Sequence, residues 1–584
     1  MLRKTYVPSG SPLFFWKRRL MPTLFRDLAE LCEKLESTKK RNEMVSWVVK
    51  FIHELDQDEM QPAISMLVGR AFPVWDQRAL EVSWATISSI IRRLTNADDM
   101  KFARAFGETG DAGNAAQLIF EGSTVRKQAT LFQKQLTILE VYHTFEAIAE
   151  TTGTGSREKK ERLLATLLSS ATPLETKYIV KVLINEMRTG FHEGLMELAM
   201  SRAFDVPVDS IQTASMLTGD IGEVATLLKS KGKEGLASLR FEIFRPVKLM
   251  LAQTAGTVTE ALKEHGGETA LEYKLDGARI QIHKSGKAVR IFSRRLTDVT
   301  TSLPEIVSLV ADEVRADEAI LEGEVIAVGK NRNPLPFQYL MHRFRRIRGI
   351  ELAVDEVPVQ LYLFDALFVD GESLIRNPYT ERREVLAKAA GSIPLMRQLG
   401  VNNGKIAEIF LQEALKAGHE GVMAKKLDSP YTPGIRGKRW LKIKSIPEPL
   451  DLVIVAAEYG YGRRHGWLSD YHLAALDTEG GGFLTIGKTY KGLTDAEITE
   501  MTGRLEKLAL NEEGSVVKLP PRIVVEVAYN EIQRSRKYEC GMALRFARIT
   551  RIRDDKTPEE ADTIQRVREI YERQFSKKAR FRDA

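Results

Sequence analysis

Cysteine is nearly absent: Cys32 and Cys540 are the only two in 584 residues, too far apart in sequence to form a motif. That excludes a cysteine-built zinc site and a disulfide-stapled scaffold, and it points to a reducing compartment. Long apolar runs are missing too. No stretch reaches the roughly 18 apolar residues of a membrane span, and the short Leu13 to Trp16 patch lies between Pro12 and the triplet Lys17-Arg18-Arg19, which fits neither a signal peptide nor an anchor. Nor is there a dominant charge. The 86 basic and 79 acidic residues leave +7, an excess that admits a polyanionic partner without requiring one. At this length the chain has room for roughly three to four domains of about 100–200 residues each.

What is present begins with helical periodicity. From residue 21 to about 235, apolar residues recur at three- and four-residue steps, as in Leu24, Leu28, Leu31 and Leu35, in Ile179, Val182 and Leu183, and in Leu195 and Leu198. This predicts a helical domain. The polar stretch Thr151 to Lys160, with Gly153, Gly155 and Ser156, predicts a break between two helical halves. Pro246 marks the next boundary, after which strand-like alternation runs to the linker Ser445-Ile446-Pro447-Glu448-Pro449. Beyond it, Asp451 to Ala457, Tyr471 to Leu476 and Ile523 to Val527 are spaced for a small barrel. Thr557-Pro558-Glu559-Glu560 offers a cap, a proline at the first helical position and a glutamate at the third, and predicts the start of the final helix. The expected segments are therefore a helical domain over 21–235, a central domain over 236–446 and a barrel with a terminal helix over 447–584.

The chemistry centres on Leu271-Glu272-Tyr273-Lys274-Leu275-Asp276-Gly277-Ala278-Arg279. One lysine is set there between an acid two residues before it, an aspartyl-glycine turn and an arginine. A lysine amine attacks phosphorus only when neutral, so a nucleophilic Lys274 needs its pKa held below about 10.4, which clustered positive charge and partial desolvation can do. K-x-D-G alone also suits a surface lysine before a hairpin turn. Its neighbours in sequence argue otherwise. Ile280, Ile282, Val289 and Ile291 alternate as a hairpin that delivers Phe292-Ser293-Arg294-Arg295. Glu324 lies in the apolar run Leu321 to Ala327, and Phe364-Asp365 in Leu361 to Leu367. Glu420-Gly421-Val422-Met423-Ala424-Lys425 follows, and Trp440 to Lys444 alternates so that Lys442 and Lys444 share one face. Charges in so many apolar strands are costly unless they serve a polyanion or a metal.

This ordered set resembles the motifs of the covalent nucleotidyltransferase superfamily, most nearly those of ATP-dependent DNA ligases of the archaeal and eukaryotic replicative type, from about residue 21 onward, which makes residues 1–20 either a disordered extension or an upstream start not used in the cell. The resemblance implies a multidomain α+β protein: a helical DNA-binding domain, a nucleotidyltransferase (ATP-grasp-like) catalytic domain and a C-terminal OB-fold β-barrel. It makes Lys274 the adenylated nucleophile, Glu272 a contact to the adenine amino group, and Arg279 and Arg294 contacts to ribose and phosphates. Glu324 matches a ribose or metal-site acid, Phe364 the aromatic stacked on adenine, and Glu420 the second metal-site carboxylate. Lys442, Lys444 and Arg436 lie where the family holds the α-phosphate and its neighbours. Glu322 departs from a common aspartate and Arg295 from a frequent asparagine. In Leu544 to Lys556, which resembles the last motif with Ala547 in place of a frequent proline, Arg548 and Arg551 would orient pyrophosphate. The implied cofactors are ATP, with AMP carried on Lys274, and Mg²⁺ or another divalent cation.

The same resemblance implies a monomer in the cytoplasm of an archaeal-type cell, acting without a membrane on nicked duplex DNA in replication, repair and recombination. Arg188, in Met187-Arg188-Thr189-Gly190, would grip the DNA backbone. Gln128, Leu131 and Phe132 stand where a sliding-clamp motif of the PCNA-binding kind is found, although a buried helix edge explains the two apolar residues equally. The basic run His342 to Arg348 reads as a phosphate contact or a solvated face. One motif is a decoy. Gly482 to Thr489 satisfies G-x-x-x-x-G-K-[ST], but Phe483 to Ile486 reads as a strand and Tyr490-Lys491-Gly492 cannot open a good helix, so a nucleotide hydrolase is rejected. RNA ligases and capping enzymes share the lysine motif without needing the large helical domain. An NAD-dependent ligase is expected to bring a zinc-binding cysteine cluster, and a non-catalytic scaffold would leave the ordered motifs unexplained.

Overall fold

The computed structural model describes residues 21–123, 135–329, 332–344, 354–432, 434, 436–444 and 447–575, except the side chains of His342, Arg436 and Phe575. Residues 1–20 and the clamp candidates Gln128, Leu131 and Phe132 lie outside them, as does Ile446 of the linker. The chain forms two compact units. One comprises Met1–Glu108, Ala112–Ser215 and Asp220–Leu239, and the other Thr109–Asp111, Met216–Gly219 and Arg240–Ala584.

The first unit is helical, with twelve helices among the described residues between Phe25 and Ala237. Sequence explains where they start. Asp56 with Glu59, Thr137 with Glu140, and Thr172 with Glu175 form reciprocal capping boxes, the last followed by Pro173 at the first helical position. Leu28, Leu31 and Leu35 are all buried on Phe25–Ser37, whereas Leu198 is 38% exposed on Glu193–Phe204. The expected break at Thr151 to Lys160 does not divide the unit. A single apolar cluster runs from Phe25 to Leu228, and Lys160, inside the helix Ser156–Ser170, is buried with its ammonium on Glu81 and the Leu80 carbonyl at 3.0 and 3.1 Å. A polar, glycine-containing stretch serves here as a short helix-to-helix turn.

The second unit carries two five-stranded sheets followed by a barrel. In the first sheet, β1 (Leu251–Thr254), β10 (Arg436–Lys444), β9 (Gly421–Lys425), β2 (Thr269–Lys274) and β8 (Gln398–Val401) lie in that order, with only β1 and β10 parallel. The second orders β4 (Ala288–Ser293), β3 (Ala278–Ser285), β5 (Glu318–Ala327), β6 (Val359–Val369) and β7 (Glu372–Ser373), all antiparallel. The β3–β4 hairpin pairs Ile282 with Ile291, and both are fully buried. The turn Leu275-Asp276-Gly277 joins the two sheets. Gly277 is needed there for close approach, because a Cβ on it would stand 2.4 Å from the Val325 carbonyl oxygen.

The barrel sheet orders β13 (Phe483–Thr489), β12 (Leu468–Leu476), β11 (Leu450–Tyr459), β15 (Val516–Ala528) and β14 (Asn511–Glu513), with β18 (Arg548–Ile552) on β15 and a separate hairpin of β16 (Glu531–Arg534) and β17 (Met542–Arg545). Gly482 to Thr489 is thus a turn and a strand, and the next helix, Asp495–Glu506, starts at its own Thr494–Glu497 capping box. The Thr557 box is present but caps only the 3₁₀ turn Pro558–Glu560; the terminal helix is Ile564–Phe575. The delay has a cause: Ala561 is extended, and Asp562 is pinned to Asp451 by its backbone N–H and its carboxylate, each bond 2.8 Å.

Candidate active site

Three adjacent strands place the motif residues on one surface. Tyr273 and Lys274 of β2 face Val422 and Gly421 of β9, while Trp440, Lys442 and Lys444 of β10 face Lys425, Met423 and Gly421. Alternation then puts Glu272, Lys274, Met423, Lys425, Trp440, Lys442 and Lys444 on the same side. All seven line a cavity of about 1020 Å³. Gly421 makes the pairing tight: its φ is +149°, and a Cβ would meet the Ile443 carbonyl oxygen at 2.2 Å. Just before it, Glu420 donates its N–H to the Lys274 carbonyl at 2.9 Å, which brings its carboxylate to the nucleophile candidate.

The electrostatics at Lys274 differ from the expectation. Its ammonium lies 2.5 Å from Glu420 Oε2, and so does that of Lys444. Burial pulls the Lys274 pKa down, but the carboxylates of Glu420 and Glu324 outweigh it, and the net shift is upward. Lys274 is held here as a charged ammonium, not primed as a free amine. Glu420 is shifted the other way. Burial raises its pKa, yet Lys274 and Lys444 hold it well below the usual carboxylate range. Burial followed by the Lys274 charge lowers Lys444. Glu324, across the cavity on β5, is pushed by burial up to about 7 despite Lys274 and Arg279.

The second sheet supplies the opposite wall. Arg279, expected on ribose and phosphates, lines the cavity but is already engaged. Its Nη1 donates to the Met250 carbonyl at 2.7 Å, and its Nη2 to Glu322 Oε2 at 2.7 Å and to the Tyr431 hydroxyl at 3.2 Å. The fully buried Glu322, which also accepts from Tyr431 at 2.8 Å, requires that charge. Phe364 lines the cavity with 7% of its surface exposed, and the Lys425 and Arg279 cations lie 4.6 and 5.4 Å from its ring centroid. Its neighbour Asp365 serves neither a polyanion nor a metal in this arrangement. It pairs with the equally buried Arg382 through bonds of 2.8 and 3.1 Å, tying β6 to the helix Tyr379–Ala389. Arg294 and Arg295 are exposed at the cavity rim.

Other candidates separate. Arg548 of β18 lines the cavity together with Tyr529, Asn530, Glu531, Arg545 and Phe546, whereas Arg551 is exposed and does not. Farther along that segment, Arg553 and Lys556 are committed to Asp451 at 3.1 and 2.6 Å. In the helical unit Arg188 is exposed in a left-handed conformation, φ 54°, with Glu186 as a partner at 2.5 Å. Arg343 is not a surface contact. It is 2% exposed and bonds the Ser302 and Val357 carbonyls and Glu305, because it sits on the inward side of the helix Phe337–Phe344. Arg345 to Arg348 and the side chain of Arg436 lie outside the described residues.

Sequence reasoning passed over Lys425, Tyr379 and Tyr431. Lys425 ends the quoted Glu420 to Lys425 run and shares the parity of Met423, a signal that was available. The tyrosines come from a helix and a loop distant in sequence, and no local pattern marks them.

Comparison with known proteins matches this arrangement along the chain. The model of the ATP dependent DNA ligase domain covers residues 249–444, that of the DNA ligase N terminus 24–201, and that of the ATP dependent DNA ligase C terminal region 464–556. The chain is 48% identical to DNA ligase 1 of Korarchaeum cryptofilum over 95% of its own length and 99% of the relative's. The chain belongs to the ATP-dependent DNA ligase family. It is also 44% identical to the DNA ligase of Thermococcus fumicolans, over 94% of this chain and 98% of that one, and 40% identical to that of Archaeoglobus fulgidus, over 95% and 100%. Among solved structures, Pmar-Lig_PreS3 shares the fold with TM-score 0.56 at 17% identity, covering 90% of this ligase and 99% of that chain. The fold is accordingly a helical N-terminal domain, a nucleotidyltransferase domain and a β-rich C-terminal domain. No described helix of the ligase is long and apolar enough to cross a membrane.

Proposed function

We propose that this ligase seals 5′-phosphate, 3′-hydroxyl nicks in duplex DNA through a lysyl-AMP intermediate. Once the Lys274 ammonium has given up its proton to water, the neutral amine attacks the α-phosphorus of ATP, the P–N bond forms and the bond to the departing pyrophosphate breaks. The 5′-phosphate then takes AMP from Lys274, and the 3′-hydroxyl finally displaces AMP, forming the phosphodiester. The observation that carries this reading is the single cavity holding Lys274, Lys442, Lys444, Arg294 and Arg548, a set of cations suited to a polyphosphate around one nucleophile.

Glu272 and Phe364 take the base side of the cavity. Glu324 and Glu420 offer hard oxygen ligands that fit Mg²⁺ or another divalent cation. Among the described residues no group of three or more acidic, histidine or cysteine side chains could hold a metal unaided, so the phosphates would complete the set. When bound, such a cation supplies neutralisation of phosphate charge. Glu420 keeps Lys274 protonated and aligned until substrate arrives, and Lys444 shares that carboxylate. Arg548 faces the leaving pyrophosphate from the barrel, a role Arg551 does not share. Arg188 contributes to DNA binding, Gln128, Leu131 and Phe132 to a sliding clamp, and the enzyme works as a cytoplasmic monomer.

The test is incubation with ATP labelled at the α-phosphate. An acid-stable, hydroxylamine-insensitive label on the protein, chased quantitatively by nicked DNA, is the expected result. Protein that takes no label would overturn the reading. Repeating the assay over a panel of nucleotides fixes the donor.

A further inference from the structure

Lys425, the last residue of β9, is 1% exposed yet lines the same cavity as Lys274. Its ammonium sits 2.6 Å from Glu272 Oε2 and donates to the Phe364 carbonyl at 3.3 Å. Three rings surround it, with centroids at 4.5 Å for Trp440, 4.6 Å for Phe364 and 4.8 Å for Tyr379. The Tyr379 hydroxyl donates to Glu272 Oε1 and accepts from the Gln398 amide at 2.8 Å, and Arg383 stands 3.6 Å from the same Oε1. Lys425 and Glu272 thus form a buried pair on neighbouring strands, boxed by aromatic faces.

Stability does not account for such a pair. Apolar side chains of similar volume commonly serve a core as well as a buried ion pair or better, and the side chains packed round the Lys425 ammonium are the aromatic rings of Trp440, Phe364 and Tyr379. What the pair does supply is a carboxylate of fixed position and charge on the cavity wall. Tyr379 and Lys425 each occupy one site of a carboxylate that has about four lone-pair sites in all. The remaining capacity accepts hydrogen bonds only. A purine bearing an amino group at its six-position gives that wall a donor, whereas one bearing a keto oxygen sets an acceptor against an anion.

We propose that Lys425 is a positioning residue that selects the nucleotide donor: by fixing the Glu272 carboxylate beneath the Trp440–Phe364–Tyr379 box, it makes the cavity prefer 6-amino over 6-keto purines. The inference rests on the placement of Glu272 at the base. Cation–π contact with three rings holds the ammonium in place without withdrawing its charge from Glu272, which hydrogen bonding to water would not achieve in so closed a site.

The experiment measures KM and kcat of self-adenylation with ATP and with GTP for the wild type, Lys425→Met, Lys425→Gln and Glu272→Gln, with thermal melting of each. Lys425→Met is expected to lower the ATP-over-GTP ratio of kcat/KM by about tenfold or more, chiefly through KM for ATP, with kcat changed less than about threefold. Should Lys425→Met fail to fold, Lys425→Gln keeps one donor toward Glu272 and carries the same expectation in smaller measure. An unchanged ratio in the folded Lys425 variants, beside a lowered ratio in Glu272→Gln, overturns the role of Lys425 while leaving the base reading intact. An unchanged ratio in Glu272→Gln means instead that the base does not meet Glu272. A uniform loss of kcat with both nucleotides at constant ratio shows a merely structural lysine and also overturns the proposal.

Discussion

Lys274 and Lys444 share one oxygen: each ammonium lies 2.5 Å from Oε2 of Glu420. A nucleophile parked on a carboxylate is chemically inert, since its lone pair is occupied by the proton that the carboxylate stabilises. The two lysines become available to phosphate oxygens only when Glu420 has other charge to face.

Lys274→Ala is expected to fold with an unchanged melting temperature and to form no adenylate, a loss of at least about 10³-fold in labelling by α-phosphate-labelled ATP. Adenylation near the wild-type rate would assign the nucleophile elsewhere.

Arg548 and Arg551 should part company. With Arg548 in the cavity and Arg551 outside it, Arg548→Ala should slow self-adenylation by about 10²-fold and spare the joining of a pre-adenylated nick, whereas Arg551→Ala should stay within about threefold on both. Comparison of the two substrates decides. Equal losses on both for Arg548→Ala would place it in DNA binding or folding.

Removing residues 1–239 should leave labelling by ATP largely intact while weakening the binding of nicked duplex. A plot of log affinity against log salt should flatten by roughly one unit for each DNA phosphate that the shortened protein no longer neutralises. An unchanged slope would mean that the helical unit does not hold DNA.

His283 makes stability depend on pH in a window it shares with Glu324, whose carboxyl, raised by burial to about 7, acts in the opposite sense. Its Nδ1 accepts the Phe244 N–H at 3.1 Å, its Nε2 donates to Gln281 Oε1 at 3.0 Å, and burial pushes its pKa down to about 3. The unfolded chain, with a histidine near the ordinary 6.5, takes up the proton first. The contribution is whole above pH 6.5 and drains away as pH falls toward 3, about 1.5 kcal/mol of it between 6.5 and 5. Urea unfolding of the wild type and of His283→Gln across that interval should differ by this slope, the wild type losing stability relative to the variant toward acid while Glu324 acts equally in both.

Alternation carried most of what the sequence could reveal. The β3–β4 hairpin, the strand holding Glu324 and the shared face of Lys442 and Lys444 all follow from period two in apolar runs, because one-sided burial imposes that period. Arg343 was misread for the converse reason. A basic run is scored by composition, but on the helix Phe337–Phe344 one of its arginines faces inward, where Glu305 and two carbonyls receive it. The Lys274 environment was legible as a set of residues and not as a balance of charges. Whether cations or carboxylates dominate a pKa depends on ångström-scale distances that a one-dimensional pattern does not contain. The partners of Arg279 were hidden in the same way, since its bonds to Glu322 and Tyr431 join elements remote in sequence.

The common face of β2, β9 and β10 gives the site a reading frame. Inserting one residue between Gly421 and Lys425 would turn Met423 or Lys425 away from the cavity together with everything beyond the insertion, while a pair of residues would restore the parity at a displacement of about 6.8 Å. A single-residue insertion or deletion within β9 would therefore disturb the site more than one in a connecting turn. Drift in chain length is accommodated more readily in the connecting turns, while within β9 exchange of one side chain for another keeps the parity that aims Met423 and Lys425 at the cavity.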